Sequence, residues 1–205
     1  TPKGRDAALQ IRENEELAGE GLSMEQYTPR KTVQIFKKTD KRILVNAKGD
    51  EWEGSPVYSD GSIVLKGELP KGLTPTDSPK FAPILENAPR ITKTNTPVDP
   101  IAFSQMPDDE MVFVHLPPSG DDLTASTITI QVKYYDFVKK QYPDAKFLVK
   151  EGAVFGPVSI YSGDKIVGLI MPVRNEGGGF GGQSGIATIL RKYRGQPAEV
   201  KPKAK

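Results

Sequence analysis

The chain has 205 residues, enough for one folded domain with sizeable arms but not for several large domains. Its formal net charge of +2 is almost balanced, so overall charge alone does not indicate a nucleic-acid-binding protein. The lack of cysteine excludes disulfides and thiolate metal sites, and there is no membrane-length apolar run and no signal-peptide pattern. We therefore expect no membrane association, and a cytoplasmic or virion protein with a compact core and extended segments.

Residues 1–30 predict a polar N-terminal arm. Their few apolar residues are loosely spaced for a helix, and Gly19 and Gly21 interrupt the pattern. A segment of this kind either stays solvated or folds on a partner.

Residues 31–45 predict a hairpin with a polar tip, because Val33 and Ile35 alternate and a second apolar run follows Asp40. Phe36 lies among the basic residues of this stretch, which makes the stretch a candidate nucleic-acid stripe. The alternative is a solvated strand face whose lysines protect a sheet edge. The candidate nucleic-acid residues here are Lys31, Lys37, Lys38, Lys41 and Arg42.

Residues 57–69 predict a turn at Asp60-Gly61 followed by a strand. Residues 70–100 form a proline-rich connection, which is long for a loop inside a compact domain. We expect it to lie on the surface of the domain, because four large apolar side chains in it require burial. These are Phe81, Ile84, Leu85 and Ile91.

No catalytic constellation appears in the sequence, and we expect a protein that is not an enzyme and has no cofactor. The only histidine, His115, sits in an apolar strand over residues 111–116, where a structural role is the expected one. There is no nucleophile-elbow motif, and the glycine run after residue 176 lacks the Lys-Ser/Thr of a phosphate-binding loop. The acidic runs at 108–110 and 121–122 lack metal-ligand spacing, so solvated charge is expected there rather than a metal site.

The most ordered set of signals lies between Thr127 and Arg174. A period-two strand over 127–132 is followed by an amphipathic helix over 133–142, which Pro143 ends. Three further strands follow, over 146–150, 158–161 and 165–171. This order predicts an α+β fold, with a mainly antiparallel sheet covered by a single helix, in one domain over residues 31–174.

This unit, closing on Leu-Ile-Met-Pro-Val-Arg at 169–174, resembles the last half-domain of the bacterial replicative sliding clamp, the beta clamp. That family ends in a strand running into a similar Met-Pro-Met-Arg tail. The resemblance covers about residues 127–174. A full clamp subunit has three such domains, so the resemblance implies a clamp-like module and not a complete ring-forming subunit.

The resemblance also implies a pocket for short apolar partner peptides near the end of the last strand. It implies association with DNA replication, or with phage or plasmid DNA, and therefore contact with double-stranded DNA. An alternative role for Leu169 to Val173 is that of ordinary core residues. The residues implied for the peptide pocket are Val158, Leu169, Ile170, Met171, Pro172, Val173 and Arg174.

Residues 175–205 read as a glycine-rich linker and a basic tail, in which Lys192 and Arg194 are further nucleic-acid candidates. Two hypotheses of function follow. The first is a non-enzymatic, clamp-like binding module. The second is a structural or assembly protein, such as a virion or scaffold component, whose arms wrap neighbouring subunits. An oligomer is expected under both.

Overall fold

The computed structural model describes residues 22–105, 112–117, 128–152 and 156–173. Within them the chain forms two antiparallel sheets and two α-helices, which confirms the α+β fold. The four-stranded sheet has the order β1-β5-β6-β7, with β1 Leu22–Ser23, β5 Ala102–Gln105, β6 Val112–Leu116 and β7 Ile128–Gln131. The six-stranded sheet has the order β2-β3-β4-β10-β9-β8, with β2 Leu44–Val45, β3 Val57–Ser59, β4 Ile63–Lys66, β8 Lys146–Leu148, β9 Val158–Ser162 and β10 Lys165–Ile170.

The strand-helix-strand-strand-strand unit predicted near the C-terminus is present as β7, helix α2 (Val132–Gln141), β8, β9 and β10. Each predicted boundary lies within two residues of the observed one. The strands divide between two sheets, however, and not one. The chain leaves the four-stranded sheet where β7 ends at Gln131 and α2 begins at Val132, and β8 then joins the six-stranded sheet.

The six-stranded sheet is buried on both faces, which explains its nearly continuous apolar runs. Along β4, Ile63 and Leu65 point into the main core with α2 and the four-stranded sheet, whereas Val64 points to the opposite face. That opposite face is covered by Phe81 and Leu85 of the proline-rich connection. Strands buried on both sides lose the alternation that marks a half-exposed strand.

The proline-rich connection lies against the sheet as predicted and carries the short helix α1, Ala82–Leu85. Phe81 and Leu85 are buried as expected. Ile84 and Ile91 are 44% and 40% exposed, so the expectation that they are buried is wrong. One turn of helix presents only one side to the sheet, and Ile84 lies on the other.

Residues 22–30, which the sequence assigned to the arm, pack against the domain. Leu22 pairs with Phe103 across β1 and β5. The Tyr27 hydroxyl donates to Asp136 Oδ1 at 2.6 Å, and the Arg30 amide donates to Asp136 Oδ2 at 3.3 Å. Burial and this bond to the carboxylate raise the pKa of Tyr27 well above its ordinary value. The rest of the predicted arm, residues 1–21, lies outside the described residues.

The hairpin predicted for residues 31–45 is wrong. Only Leu44–Val45 forms a strand, and it pairs with β3 and not with Val33 or Ile35. Phe36 has a φ of +60°, in the left-handed region that breaks an extended run. Its ring enters the core, 4.9 Å from the ring of Tyr58 and 6.0 Å from that of Phe137.

Candidate nucleic-acid interface

The basic residues that follow Phe36 lie on a loop that is fixed to the core at its base. Burial of Ile35 and Phe36 holds the start of the loop, and the Ile43 amide donates to the Thr76 hydroxyl at 3.1 Å at its end. Between these points the loop reverses, with the Asp40 amide donating to the Lys37 carbonyl at 2.9 Å. We call residues 37–42 the basic loop; its exposed cations are Lys37, Lys38, Lys41 and Arg42.

The only acidic residue of the basic loop is turned back onto the backbone. Asp40 Oδ2 accepts a hydrogen bond from the Lys37 amide at 2.6 Å. This bond stabilises the turn. The loop therefore exposes four cations, while its one carboxylate bonds to the backbone of the loop.

Two turns from elsewhere in the chain lie beside the basic loop. A Cβ on Gly61, in the turn between β3 and β4, would lie 3.2 Å from Arg42 Nη1. A Cβ on Gly72 would lie 3.4 Å from Lys38 Cε, and Lys71 next to it is exposed. Gly72 has a φ of +86°, which a side chain rarely adopts, so this turn favours glycine where Lys38 passes.

The start of α2 joins the same surface through Asp60. The Tyr134 hydroxyl donates to Asp60 Oδ2 at 2.7 Å, and Asp60 Oδ1 accepts from the amides of Ser62 and Ile63 at 2.8 and 3.0 Å. Burial, together with the bond to the Asp60 carboxylate, raises the pKa of Tyr134, so the hydroxyl stays protonated and donates. Lys133 is exposed, and its Nζ lies 4.9 Å from the centre of the Tyr134 ring.

We call the exposed cations of the basic loop, of the turn at Gly72 and of the start of α2 the basic platform. Its members are Lys37, Lys38, Lys41, Arg42, Lys71 and Lys133. Counted against Asp40 and Asp60, the two carboxylates described above, these six cations have a formal excess of four positive charges. Among the described residues, the ion pairs all lie elsewhere in the molecule, at Glu53 and Asp99. The platform cations are therefore available to an external anion.

The structure brings together some of the nucleic-acid candidates that the sequence predicts. Four of them form the basic loop. Lys31 is also exposed. The amide of the preceding residue, Arg30, donates to Asp136, which lies about one turn of α2 after Lys133. Lys192 and Arg194 lie outside the described residues.

Lys71 and Lys133 were missed by sequence reasoning. The Pro-Lys-Gly turn at 70–72 marks Lys71 as exposed, but only the fold places it beside Lys38. Lys133 begins an amphipathic helix, whose polar positions ordinarily face solvent without a specific partner.

The residues implied for a peptide pocket lie mostly in the core. Val158 and Ile170 are fully buried and Leu169 is 1% exposed, so these three do not line an open pocket in this structure. Pro172 is buried and Val173 is half-buried, while Met171 is 37% exposed. Arg174 lies outside the described residues.

The segment after β10 connects the two sheets. The Met171 amide donates to the Ser62 carbonyl at 2.8 Å, and the Val173 amide donates to the Thr129 carbonyl at 2.8 Å. This segment thus bonds to the turn between β3 and β4 through one residue and to β7 through another. Its geometry supports a structural role for the end of the strand.

A groove of about 620 Å³ lies at the other end of the six-stranded sheet, between the proline-rich connection and the turn of β9 and β10. Glu53 pairs there with Lys66 and Arg90, and hydrogen bonds from these two cations lower the pKa of Glu53. Asp164 and Lys165 add one charge of each sign. Because its cations are largely balanced by carboxylates, the groove suits a polyanion less well than the basic platform does.

His115 is buried in the four-stranded sheet, as its apolar neighbours in the sequence suggest. Its Nε2 lies 2.8 Å from Ser104 Oγ and its Nδ1 lies 3.3 Å from Thr129 Oγ1, on the two flanking strands. All three side chains are at most 4% exposed, so no substrate reaches this serine–histidine pair in the present structure. The cluster has the geometry of a structural cross-strand network.

Burial lowers the pKa of His115 to about 4, which predicts a loss of stability in acid. An unfolded histidine takes up its proton near pH 6.5, so the unfolded chain binds more protons between about pH 6.5 and about pH 4. The contribution of His115 to the free energy of unfolding is present above this window. It falls as the pH decreases through the window, by about 3 kcal/mol in total.

The NMR resonances of the His115 ring report the protonation of this histidine directly. We expect them to stay unchanged from about pH 8 down to about pH 5 and to titrate only near pH 4, while urea denaturation shows the stability falling. A ring that titrates near pH 6.5 in the folded protein would contradict the buried, neutral histidine.

A scan against protein-family models, a search of curated proteins and a search of solved structures each find no match to this chain. In the part of the chain that the structure describes, no group of three or more histidine or acidic side chains could hold a metal ion. No helix among these residues is long and apolar enough to cross a membrane.

Proposed function

We propose that this protein is a non-enzymatic binding module that holds the phosphate backbone of DNA on the basic loop. The observation that carries the proposal is the exposure of four cations on a loop whose base is buried and whose one carboxylate is bonded to its own backbone. Cations that lack a carboxylate partner bind phosphates by displacing condensed counterions from the nucleic acid. A loop held at both ends loses little conformational entropy when it binds.

The resemblance to a sliding-clamp half-domain is a separate part of the proposal. The order β7-α2-β8-β9-β10 supports it, because it is the order that the resemblance implies. On this basis we place the protein with DNA replication or with phage or plasmid DNA. Oligomerisation and the binding of short apolar peptides, with Met171 as the exposed contact, belong to the same proposal.

A structural or assembly role is the second candidate function. The observation that favours it is Leu22, which is 41% exposed on the two-residue edge strand β1. A large exposed apolar side chain on the edge strand of a sheet, as β1 is among the described strands, suits addition of a further strand from a neighbouring subunit. Light scattering after size-exclusion chromatography distinguishes the assembly role from the DNA-binding role. An assembly protein forms oligomers without DNA, and replacement of Leu22 by a charged residue dissociates them.

Fluorescence anisotropy with a labelled DNA duplex of about 20 base pairs tests the DNA proposal. We expect binding at about 50 mM salt that weakens steeply towards about 300 mM. Four phosphate contacts predict a slope of about −3.6 in a plot of log affinity against log salt concentration. Lack of binding at micromolar protein and low salt, or an affinity that does not change with salt, would refute the proposal.

A further inference from the structure

We infer that the groove beside Glu53 binds a small organic carboxylate. The carboxylate group of this ligand takes over the two cations that Glu53 holds, and its apolar body lies against Ile91 and Val167. The inference concerns a surface separate from the basic loop and does not depend on DNA binding. It is carried by three observations: two cations that share one carboxylate, an exposed apolar wall, and a left-handed backbone at Glu53.

Glu53 brings two cations together in the groove. Its Oε2 accepts a hydrogen bond from Lys66 Nζ, and its Oε1 accepts one from Arg90 Nη1. Lys66 ends β4, whereas Arg90 belongs to the proline-rich connection, so only the fold makes them neighbours. One carboxylate for two cations leaves a formal excess of one positive charge, since Asp164 and Lys165 in the same groove balance each other. A monoanion complements this excess.

Lys66 is a strong anion ligand because little of it is in contact with water. Its side chain is 17% exposed, and its Nζ lies 4.9 Å from the centre of the buried Trp52 ring. Burial removes hydration from the ammonium, which therefore depends on a bonded anion. Glu53 is 45% exposed, so solvent screens its hold on the two cations. Exchange of Glu53 for another carboxylate is therefore cheap, whereas leaving Lys66 without an anion is costly.

The backbone of Glu53 is in a conformation that few side-chain-bearing residues adopt. Residues 52–55 form a tight hairpin turn, in which the amides of Trp52 and Ser55 donate to each other's carbonyls at 2.8 and 3.0 Å. The two central residues, Glu53 and Gly54, have φ of +50° and +76°. A turn of this kind favours asparagine, aspartate or glycine at the position of Glu53. Strained residues of this sort concentrate at ligand-binding sites, which supports a role for Glu53 beyond folding.

The groove has more room than a carboxylate group needs. Its volume of about 620 Å³ lies within the range of about 300–1,000 Å³ that is usual for small-molecule sites. Ile91 is exposed and lines the groove next to Arg90. Val167 lines it from β10, at the point where the pairing with β9 shifts. An apolar body of several carbons therefore gains by covering Ile91, which is otherwise in contact with water.

A carboxylate fits this groove better than a phosphate does. Lys66 and Arg90 already bond the two oxygens of a carboxylate, one oxygen each. A phosphate monoester carries a charge of about −1.5 to −2 at neutral pH, which exceeds the single positive charge in excess. The Asp164 carboxylate also lines the groove and repels the second negative charge.

The test titrates the chain with octanoate, which has one carboxylate and an apolar body, at about 0.1 M salt. Isothermal titration calorimetry measures the affinity. The fluorescence of Trp52, the only tryptophan of the chain, reports binding beside Lys66. Octanamide lacks the charge of octanoate and acetate lacks its apolar body, so these are the matched ligands. The variants are Glu53→Gln and Arg90→Ala, with Lys93→Ala as the control for loss of an exposed cation that does not line the groove.

We expect octanoate to bind with a Kd below about 1 mM, and octanamide and acetate to bind at least about tenfold more weakly. Glu53→Gln should tighten octanoate binding about tenfold, because it removes the competing carboxylate but keeps the size of the side chain. Arg90→Ala should weaken it about tenfold, and Lys93→Ala should change it less than about twofold. Circular dichroism verifies that each variant is folded.

The remaining outcomes contradict the inference in part or in whole. Octanamide bound as tightly as octanoate refutes recognition of the carboxylate, and inorganic phosphate bound more tightly than octanoate refutes the preference for a carboxylate. An unchanged or lower affinity of Glu53→Gln refutes the exchange with Glu53. Wild-type affinity of Arg90→Ala refutes the placement in this groove. Absence of saturable binding of octanoate to the wild-type chain overturns the inference as a whole and leaves the DNA-binding proposal untouched.

Discussion

Alanine at all four cations of the basic loop is expected to reduce the affinity for duplex DNA about four-thousandfold at about 0.1 M salt. Each phosphate contact contributes a factor of about eight at this salt concentration, because the counterions it releases gain entropy. The variant also loses most of the salt dependence of the wild type. Anisotropy titrations at several salt concentrations measure both quantities.

The same variant should fold normally, which separates this prediction from a loss of structure. The four side chains are exposed and take part in none of the described ion pairs, so each substitution changes the free energy of unfolding by no more than about 0.5 kcal/mol. The matched control Lys93→Ala/Lys165→Ala, which removes two exposed lysines outside the basic loop, should keep wild-type affinity. A basic-loop variant that still binds duplex within about fivefold of wild type would exclude the loop as the main contact.

Gly168→Ala is expected to be the most destabilising small substitution in the six-stranded sheet. A Cβ at this position would lie 2.5 Å from the Val64 carbonyl oxygen, 2.9 Å from Leu65 Cδ2 and 3.1 Å from Ile160 Cδ1. Gly168 sits at an irregularity of β10 where β4 and β9 both approach closely. Because the contact on one side is backbone, relief requires the strands to separate.

We expect Gly168→Ala to lower the free energy of unfolding by about 3 kcal/mol, measured by urea denaturation. Gly156→Ala is the matched control, since a Cβ there meets no atom within 4 Å. It should stay within about 0.5 kcal/mol of wild type. Equal stability of the two variants would mean that β4 and β10 are not packed as closely as described.

The sequence predicts well those helices and strands whose boundaries are set by residues nearby in the sequence. Ile128 and Ile130 alternate in β7, Pro143 ends the following helix, and Gly163 turns between β9 and β10, so each boundary has a cause within a few residues. The division into two sheets has no such local cause. It depends on which strand β10 pairs with, and β4, its partner, is about a hundred residues earlier in the chain.

The sequence identifies the cations of the basic loop, but it does not predict how the residues of the candidate site are arranged in the fold. The cations of residues 37–42 stand together in the sequence, and the structure leaves them exposed together. Phe36 stands beside them in the sequence, yet it adopts a left-handed backbone and packs on Tyr58. A local pattern does not reveal that a bulky residue takes a rare conformation when the core has room for its ring. Nor does it reveal that Lys71 and Lys133 lie beside the loop.

A map of amide chemical shifts, recorded while the isotopically labelled chain is titrated with a DNA duplex of about 20 base pairs, tests the placement of the DNA surface most directly. We predict that the largest changes fall on four segments that are separate in the sequence: residues 37–42, the turn at Gly61, the turn at Gly72, and the start of α2 at Lys133. Changes confined to the groove around Glu53 and Arg90, or to the basic tail beyond residue 175, would contradict the assignment of the basic platform as the DNA-binding surface.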